Sequence, residues 1–293
     1  MSKAGIVTVV GKPNAGKSTL LNRIVGEKLS IVSDKPQSTR DRVVGIRTAG
    51  DAQMIVLDTP GLLSPRYELH RSMRGTALAA LDDADVVLYL ADGTEGPPPE
   101  LIDVAALPHP PRAPVVLAIN KIDIVAAAGR AALRERHPDA ALISATTGEG
   151  VDQLVARLTA LLPDSPFLYP EDEISTQTVR FFAAELIRET ALEQLDEEVP
   201  YSVACAIEEF RESQSPVYIR AVLYVERESQ KRILIGAGGQ RIRAIGREAR
   251  RKIEPLVRAG VYLDLWVKVL PNWRRSATAL RRLGYHLPEE HPR

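Results

Sequence analysis

Near the start of the chain, Gly11-Lys12-Pro13-Asn14-Ala15-Gly16-Lys17-Ser18 matches the pattern G-x-x-x-x-G-K-[ST], between an apolar run (Gly5 to Val10) and a helical pattern (Ser18 to Val25). A loop so placed can turn its backbone N–H groups onto phosphate oxygens, with the positive end of the next helix behind them. The glycines permit close approach, Lys17 can reach the β- and γ-phosphates, and the Ser18 hydroxyl can ligate Mg²⁺. The chemistry is nucleotide phosphate binding.

Three further strings extend it. Asp58-Thr59-Pro60-Gly61 follows the run Gln53 to Leu57; a carboxylate at a strand end can hold Mg²⁺ through its water, and the Gly61 N–H can meet a γ-phosphate. Pro36-Gln37-Ser38-Thr39-Arg40-Asp41 has no apolar periodicity. It reads as a switch in which Thr39 offers a second hydroxyl to Mg²⁺ only while a γ-phosphate is present. Asn120-Lys121-Ile122-Asp123 follows another apolar run. The Asp123 carboxylate can accept from guanine N1–H and N2–H₂, a donor pair that adenine lacks, and a buried acceptor left unpaired rejects the wrong base strongly. Ser144-Ala145-Thr146 ends the next run, where backbone N–H groups can meet guanine O6.

The elements that must position these strings are short apolar runs alternating with helical patterns: Gly5 to Val10, Val43 to Thr48, Gln53 to Leu57, Val86 to Ala91, Val115 to Ile119 and Ala140 to Ile143. Continuous apolarity in several of them fits strands buried on both faces, hence a mainly parallel, doubly wound α/β sheet with the motifs beyond its carboxyl ends. At 293 residues and 45% hydrophobic content two domains are expected. The single cysteine, Cys205, excludes an internal disulfide and suits a reducing compartment. Met1-Ser2-Lys3-Ala4 has no signal-type apolar region and no stretch is long enough to span a bilayer, so a soluble intracellular protein is expected. Zero net charge hides an asymmetry: from Arg227 to Arg282 stand 15 Lys plus Arg against 4 Asp plus Glu, leaving the remainder at −11. A segment so biased points to a polyanionic partner.

The second half opens after Leu162-Pro163-Asp164-Ser165-Pro166. It reads as a helix from Val179 to Leu195, strands at Ser202 to Phe210 and Val217 to Val225, a short segment Lys231 to Ile235, the loop Gly236-Ala237-Gly238-Gly239, a helix Gln240 to Val257 and a strand Val261 to Leu270. Arginines at 241, 243, 247, 250 and 251 follow the loop. Trp266, alternating along a strand, is expected in the core, and Trp273 on the surface.

On these residues, 5 to 162 resemble a small Ras-like GTPase domain of the translation-factor class, and the whole chain resembles the Era family of bacterial GTPases. Its second half is similar in Leu186-Ile187-Arg188-Glu189, Pro200-Tyr201-Ser202-Val203 and Gly236-Ala237-Gly238-Gly239. The resemblance implies a GTPase domain over 1–165, a linker over 166–178 and a type II KH RNA-binding domain over 179–293. It implies GTP/GDP and Mg²⁺ as ligands: phosphate binding by Gly11 through Thr19, metal and switch roles for Ser18, Thr39 and Asp58, catalytic contributions from Lys17, Thr39 and Gly61, and guanine binding by Asn120, Lys121, Asp123, Ser144 and Ala145. RNA would meet Lys231, Gly236 to Gly239, Arg241, Arg243 and Arg247, since a G-x-x-G loop clamps a single-stranded backbone. The implied partner is 16S ribosomal RNA near its 3′ end, in small-subunit assembly, for a monomeric cytoplasmic protein with peripheral association with the inner membrane. Asn14 resembles the residue that holds K⁺ in potassium-stimulated GTPases.

Two departures bear on mechanism. Leu62 stands where Ras-like proteins place a water-orienting glutamine, so slow hydrolysis stimulated from outside is expected, a feature the family shares. Gly238 stands where related sequences usually carry a lysine, which weakens direct phosphate contact. Two other readings compete: a metabolic P-loop kinase or ATPase, opposed by Asn120-Lys121-Ile122-Asp123, and a nucleotide-bound RNA assembly scaffold with negligible turnover, favoured by Leu62.

Overall fold

The computed structural model describes residues 1–287. The end of the expected KH segment, 288–293, lies outside the described residues. The chain divides into two compact units, one of residues 1–66 and 73–176, the other of 67–72 and 177 onward.

The first unit is a six-stranded sheet in the order β2-β3-β1-β4-β5-β6. Its strands are β1 (Lys3–Val10), β2 (Val43–Ala49), β3 (Ala52–Asp58), β4 (Val86–Asp92), β5 (Val115–Asn120) and β6 (Ala141–Leu142). All neighbours run parallel except β2 and β3, an edge hairpin with Val43 opposite Asp58. The helices are α1 (Lys17–Val25), α2 (Glu68–Asp82, of which 68–72 group with the second unit), α3 (Leu101–Ala105), α4 (Ala127–Arg136) and α5 (Val151–Leu161). The expected doubly wound, mainly parallel architecture is present. The apolar runs of β1, β3 and β4 are buried nearly throughout, as strands covered on both faces must be.

Residues 166–176, expected as linker, are fastened to this unit. The Gln53 carboxamide, buried on β3, accepts from the N–H groups of Leu168 and Tyr169 and donates to the Tyr169 carbonyl. Ile46 N–H donates to the Ile174 carbonyl, and the Ser175 hydroxyl to that of Val44.

The second unit holds α6 (Val179–Glu193), α7 (Val199–Ser202), β7 (Ala204–Arg211), β8 (Val217–Val225), α8 (Glu228–Ile235), α9 (Gln240–Val257), β9 (Val261–Val269) and α10 (Ala277–Arg282). Its sheet runs β7-β8-β9, antiparallel then parallel. Alternate β8 residues Val217, Ile219, Ala221, Leu223 and Val225 join Ala183, Ile187 and Ala191 of α6 and Ile245, Ala249 and Ile253 of α9 in one core. The period of two on the strand and of four on the helices brings one face of each together. Cys205 packs against this core, and burial pushes its thiol up.

The tryptophans reverse the expectation. Trp273 is fully buried, its indole N–H donating to the Ser202 carbonyl at 2.8 Å and its ring stacked on Tyr285, whereas Trp266 is 54% exposed. Alternation along β9 states which residues share a face but not which face is covered, and the helices cover the face of Leu263, Leu265 and Val267.

Candidate nucleotide site and RNA-binding loop

At the carboxyl ends of the first unit's strands lies a cavity of about 370 Å³. Of the residues singled out in the sequence, Pro13, Asn14, Gly16, Lys17, Ser18, Thr19, Thr39, Gly61, Asn120, Lys121 and Asp123 line it. Ile31, Val32, Ser33, Asp34, Gln37, Ser38, Ile124 and Thr146 complete the wall. The size suits a nucleotide-sized ligand.

Gly16 enters α1 at φ +96°, and a Cβ there would lie 2.2 Å from the Asn120 carboxamide nitrogen. Both conformation and space demand glycine. Asn120 is the structural tie of the site: its Nδ2 donates to the Ala15 carbonyl and its Oδ1 accepts from Ala145 N–H, each at 2.8 Å. Of the backbone N–H groups of 144–146 expected near guanine O6, that of Ala145 is engaged with Asn120, and Thr146 lines the cavity. Ser144 supports this turn, its hydroxyl accepting from Thr147 N–H.

Several of the other expected residues also make contacts within the protein. The Thr59 hydroxyl donates to the Val9 carbonyl, Pro60 is buried, and the Gly11 carbonyl accepts from Leu62 N–H. Leu62 is itself 4% exposed and packs with Val10, Ala77 and Tyr89, so its side chain belongs to the core. Lys12 pairs with Glu95 at 3.0 Å. Lys121, in left-handed conformation at φ +64°, pairs with Asp92 at 2.6 Å, while Asp123 is exposed at the rim.

The charged centre is buried. Lys17 Nζ donates to the carbonyls of Gly11 (3.2 Å) and Lys12 (2.9 Å), and burial lowers its pKa to about 8 against the attraction of Asp58. Burial raises the Asp58 pKa despite the attraction of Lys17 and hydrogen bonds from neighbouring hydroxyls. Ser18 Oγ donates to Asp58 Oδ2 at 2.7 Å, and Thr39 Oγ1 stands 2.9 Å from Ser18 Oγ and 3.5 Å from Asp58 Oδ2. Two hydroxyls and a carboxylate, all hard oxygen donors, suit Mg²⁺ with its retained waters. Asp58 Oδ1 is buried with no hydrogen-bond partner, an acceptor for which a bound cation and its water would provide.

Two supporting residues escaped sequence reading. On α1, Arg23 Nε donates to the Ala145 carbonyl at 2.5 Å and its Nη2 to that of Thr146, clamping the 144–146 turn. Asn22 Oδ1 accepts from Leu29 and Ser30 N–H, fixing the entry to the polar segment. Polar residues in a short amphipathic helix were the only signal, and that signal equally marks a solvated face.

In the second unit Gly236, Ala237, Gly238 and Gly239 form one turn between α8 and α9. Gly236 (φ +72°, ψ 172°) occupies a glycine-only region, whereas Gly238 (φ +54°, ψ 21°) is left-handed and has no atom within 4 Å of where a Cβ would stand. Arg241, Arg243 and Arg247 are exposed on the helix that follows, and Lys231 is half-buried on α8. Arg241 also donates to the Ile233 carbonyl, binding the two helices together at the turn. Arg250 and Arg251 are instead paired with Glu254 and Glu248.

Comparison with known proteins accords with both halves. Residues 6–121 match the family model described as 50S ribosome-binding GTPase, and residues 198–274 match that of the KH domain. GTPase Era of Carboxydothermus hydrogenoformans is 42% identical over 291 residues, covering 97% of this chain and 98% of the relative. The chain belongs to the Era GTPase family. Era of Pseudomonas putida is 41% identical over 97% of this chain and 96% of its own. A solved Era in complex with MgGDPNP and nucleotides 1506–1542 of 16S ribosomal RNA superposes with a TM-score of 0.91 at 40% identity, covering 98% of this chain and all of that one. A variant of Aquifex aeolicus Era bound to GDP and AlF₄⁻ gives 0.88 at 41%, covering 97% of this chain and all of its own. As an Era-family member this chain is a GTPase built from a Ras-like domain followed by a KH domain. Among its described residues no helix is long and apolar enough to cross a membrane.

The lowered Lys17 pKa gives a pH-dependent test. Phosphate anions beside Lys17 raise its pKa, so binding near pH 8.5 must draw a proton onto a partly neutral amine; near pH 7 the amine is already charged. Calorimetry of GDP binding without Mg²⁺, in buffers of different ionisation enthalpy, should show fractional proton uptake at pH 8.5 and less at pH 7. No pH dependence would contradict the burial of Lys17.

Proposed function

We propose that this protein binds and hydrolyses GTP in the first unit to gate engagement of the 3′ region of 16S ribosomal RNA by the KH loop of the second, acting in small-subunit assembly and rRNA maturation. The observation that carries this reading is the full-length likeness to an Era solved in complex with MgGDPNP and that RNA.

In this reading the loop from Gly11 to Thr19 cradles the phosphates, Lys17 offsets their charge, and the Gly61 N–H faces the terminal phosphate. Ser18, Thr39 and Asp58 hold Mg²⁺, which neutralises charge on the phosphate oxygens. Asp123 reads the guanine edge, Lys121 flanks the base, and Asn120 holds the two loops together. Leu62, sunk in the core, offers nothing to orient water, so intrinsic turnover is slow and a factor outside the site stimulates it. Asn14 Nδ2 donates to the Asp34 carbonyl, which sets the Asn14 side-chain amide, whose oxygen is the kind of donor K⁺ takes, beside one main-chain carbonyl at a corner of the cavity. Turnover should therefore be several-fold faster in K⁺ than in Na⁺, with the difference lost in Asn14→Ala; equal rates in the two salts would remove K⁺ from the mechanism. In this reading the protein works in the cytoplasm as a monomer with peripheral membrane association, all three carried by family resemblance.

For the RNA half, the conformation of Gly236 would make any substitution there a test of folding. Gly238 is the milder position: its left-handed conformation costs an added side chain about 1–2 kcal/mol, but no atom stands within 4 Å of where the Cβ would lie, so nothing else must move. Gly238→Asp should abolish binding of a 16S 3′-end oligonucleotide at unchanged intrinsic GTP turnover, and Gly238→Lys should strengthen it. Replacing Arg241 and Arg243 by alanine should flatten the dependence of log affinity on log salt by about 0.7 per lost phosphate contact. Normal RNA binding by Gly238→Asp would overturn the assignment of this loop.

A further inference from the structure

The three-stranded sheet of the second unit is covered by α6 and α9 on one face only. Its other face carries a row of rings that belong neither to the nucleotide cavity nor to the Gly236–Gly239 turn. Tyr262 and Trp266, on the edge strand β9, are 59% and 54% exposed. Tyr218 on β8 stacks on Tyr262 with ring centroids 5.8 Å apart and planes inclined by 12°. The guanidinium groups of Arg211 and Arg220 lie 5.0 and 5.6 Å from the Tyr218 ring.

Asp264 holds this arrangement in place. One of its oxygens accepts from the Tyr218 hydroxyl and Arg220 Nε, both at 3.0 Å, and the other from the Trp266 indole N–H at 2.8 Å. These donors keep the Asp264 carboxyl ionised well into the acid range, against the cost of its partial burial. The rings are thus fixed in orientation while two of them remain open, and a partner stacking on them loses little additional side-chain freedom. The face is electrically balanced: Arg211 and Arg220 pair with Glu209, Arg220 also with Asp264, and Lys268 with Glu208. Its cations are already engaged, so its chemistry is ring stacking rather than phosphate capture.

We propose that this face is a base-stacking platform for single-stranded RNA, with Trp266 and Tyr262, four residues apart on β9, each receiving a base. The proposal rests on the RNA-binding reading of the second unit. What favours RNA is continuity: α8 and α9, the helices joined by the Gly236–Gly239 turn, both pack on β9, whose outer face bears the two exposed rings. A strand whose phosphates are held by that turn and the α9 arginines has β9 beside it, where its bases can leave water. Stacking on aromatic side chains adds affinity for any base and leaves the salt dependence to the phosphate contacts.

The chain has two tryptophans, and with Trp273 buried the indole emission supplies the test. Oligo(A) and oligo(U) RNA titrated into the full-length protein should quench the emission in step with binding, more strongly for oligo(A). Trp266→Ala should weaken binding by about tenfold with an unchanged salt slope, and Trp266→Phe should keep most of the affinity. The remaining Trp273 emission of Trp266→Ala, unaltered by RNA, reports the intact fold. RNA that binds without quenching, together with wild-type affinity in Trp266→Ala, would overturn the platform while leaving the loop assignment standing. Loss of small-subunit binding in Trp266→Ala without loss of RNA affinity would also overturn it, in favour of a protein-docking face. A wild-type protein that binds neither oligonucleotide at low salt would bring down the RNA reading of the whole unit and this proposal with it.

Discussion

A lysine and an aspartate are held out of water at the meeting point of β1, β3 and α1, and the arrangement of the first unit follows from that. Asp58 ends β3 opposite Val9 of β1 and Val43 of β2, with no exposure at all. Lys17 opens α1 and spends its hydrogens on the carbonyls of its own loop. Taking both charges out of water costs several kcal/mol before their attraction is counted. Folding favours the protonated carboxyl more than the unfolded chain does, so at neutral pH the ionised Asp58 lowers the stability of the ligand-free protein. Such a site is suited to a ligand that brings its own compensating charges, phosphates for Lys17 and a divalent cation for Asp58.

The two units offer phosphate opposite environments in the proposed reading. The first buries its charges in a walled cavity, where low dielectric strengthens each contact and the shape selects the ligand. The second leaves Arg241, Arg243 and Arg247 on an open helix face beside a turn, where affinity comes from counterion release and falls with salt. One geometry suits a small nucleotide read atom by atom, the other a flexible strand. In the proposed RNA-binding reading, Gly238 without a side chain leaves the electrostatic work to the α9 arginines.

Much of the first unit was legible because its motifs are local. A phosphate loop is defined by backbone conformation over a few residues, and Gly11, Gly16, Lys17 and Ser18 state that conformation directly; Asp58 and Asn120 end strands whose apolar runs are unmistakable. What stayed hidden depends on contacts distant in sequence. Gln53 looks like any polar residue in a strand until it is found pinning residues 168 and 169, and Arg23 like any exposed helix cation until it is found clamping the turn at 145 and 146. Ala145 lies in the expected loop, but the Asn120 carboxamide takes its N–H. The exchanged roles of Trp266 and Trp273 have the same origin, since alternation sorts residues into faces without saying where the helices lie.

The central claim is that buried Asp58 is sustained for metal binding at a cost to the empty fold. It is tested most directly by measuring GDP affinity with and without Mg²⁺, and thermal unfolding of the nucleotide-free protein, for wild type and Asp58→Asn. Relief of a buried charge predicts that Asp58→Asn melts higher when empty, by about 2–4 °C for each kcal/mol recovered, and no longer binds GDP more tightly when Mg²⁺ is added. A lower melting temperature with Mg²⁺ dependence intact would contradict it.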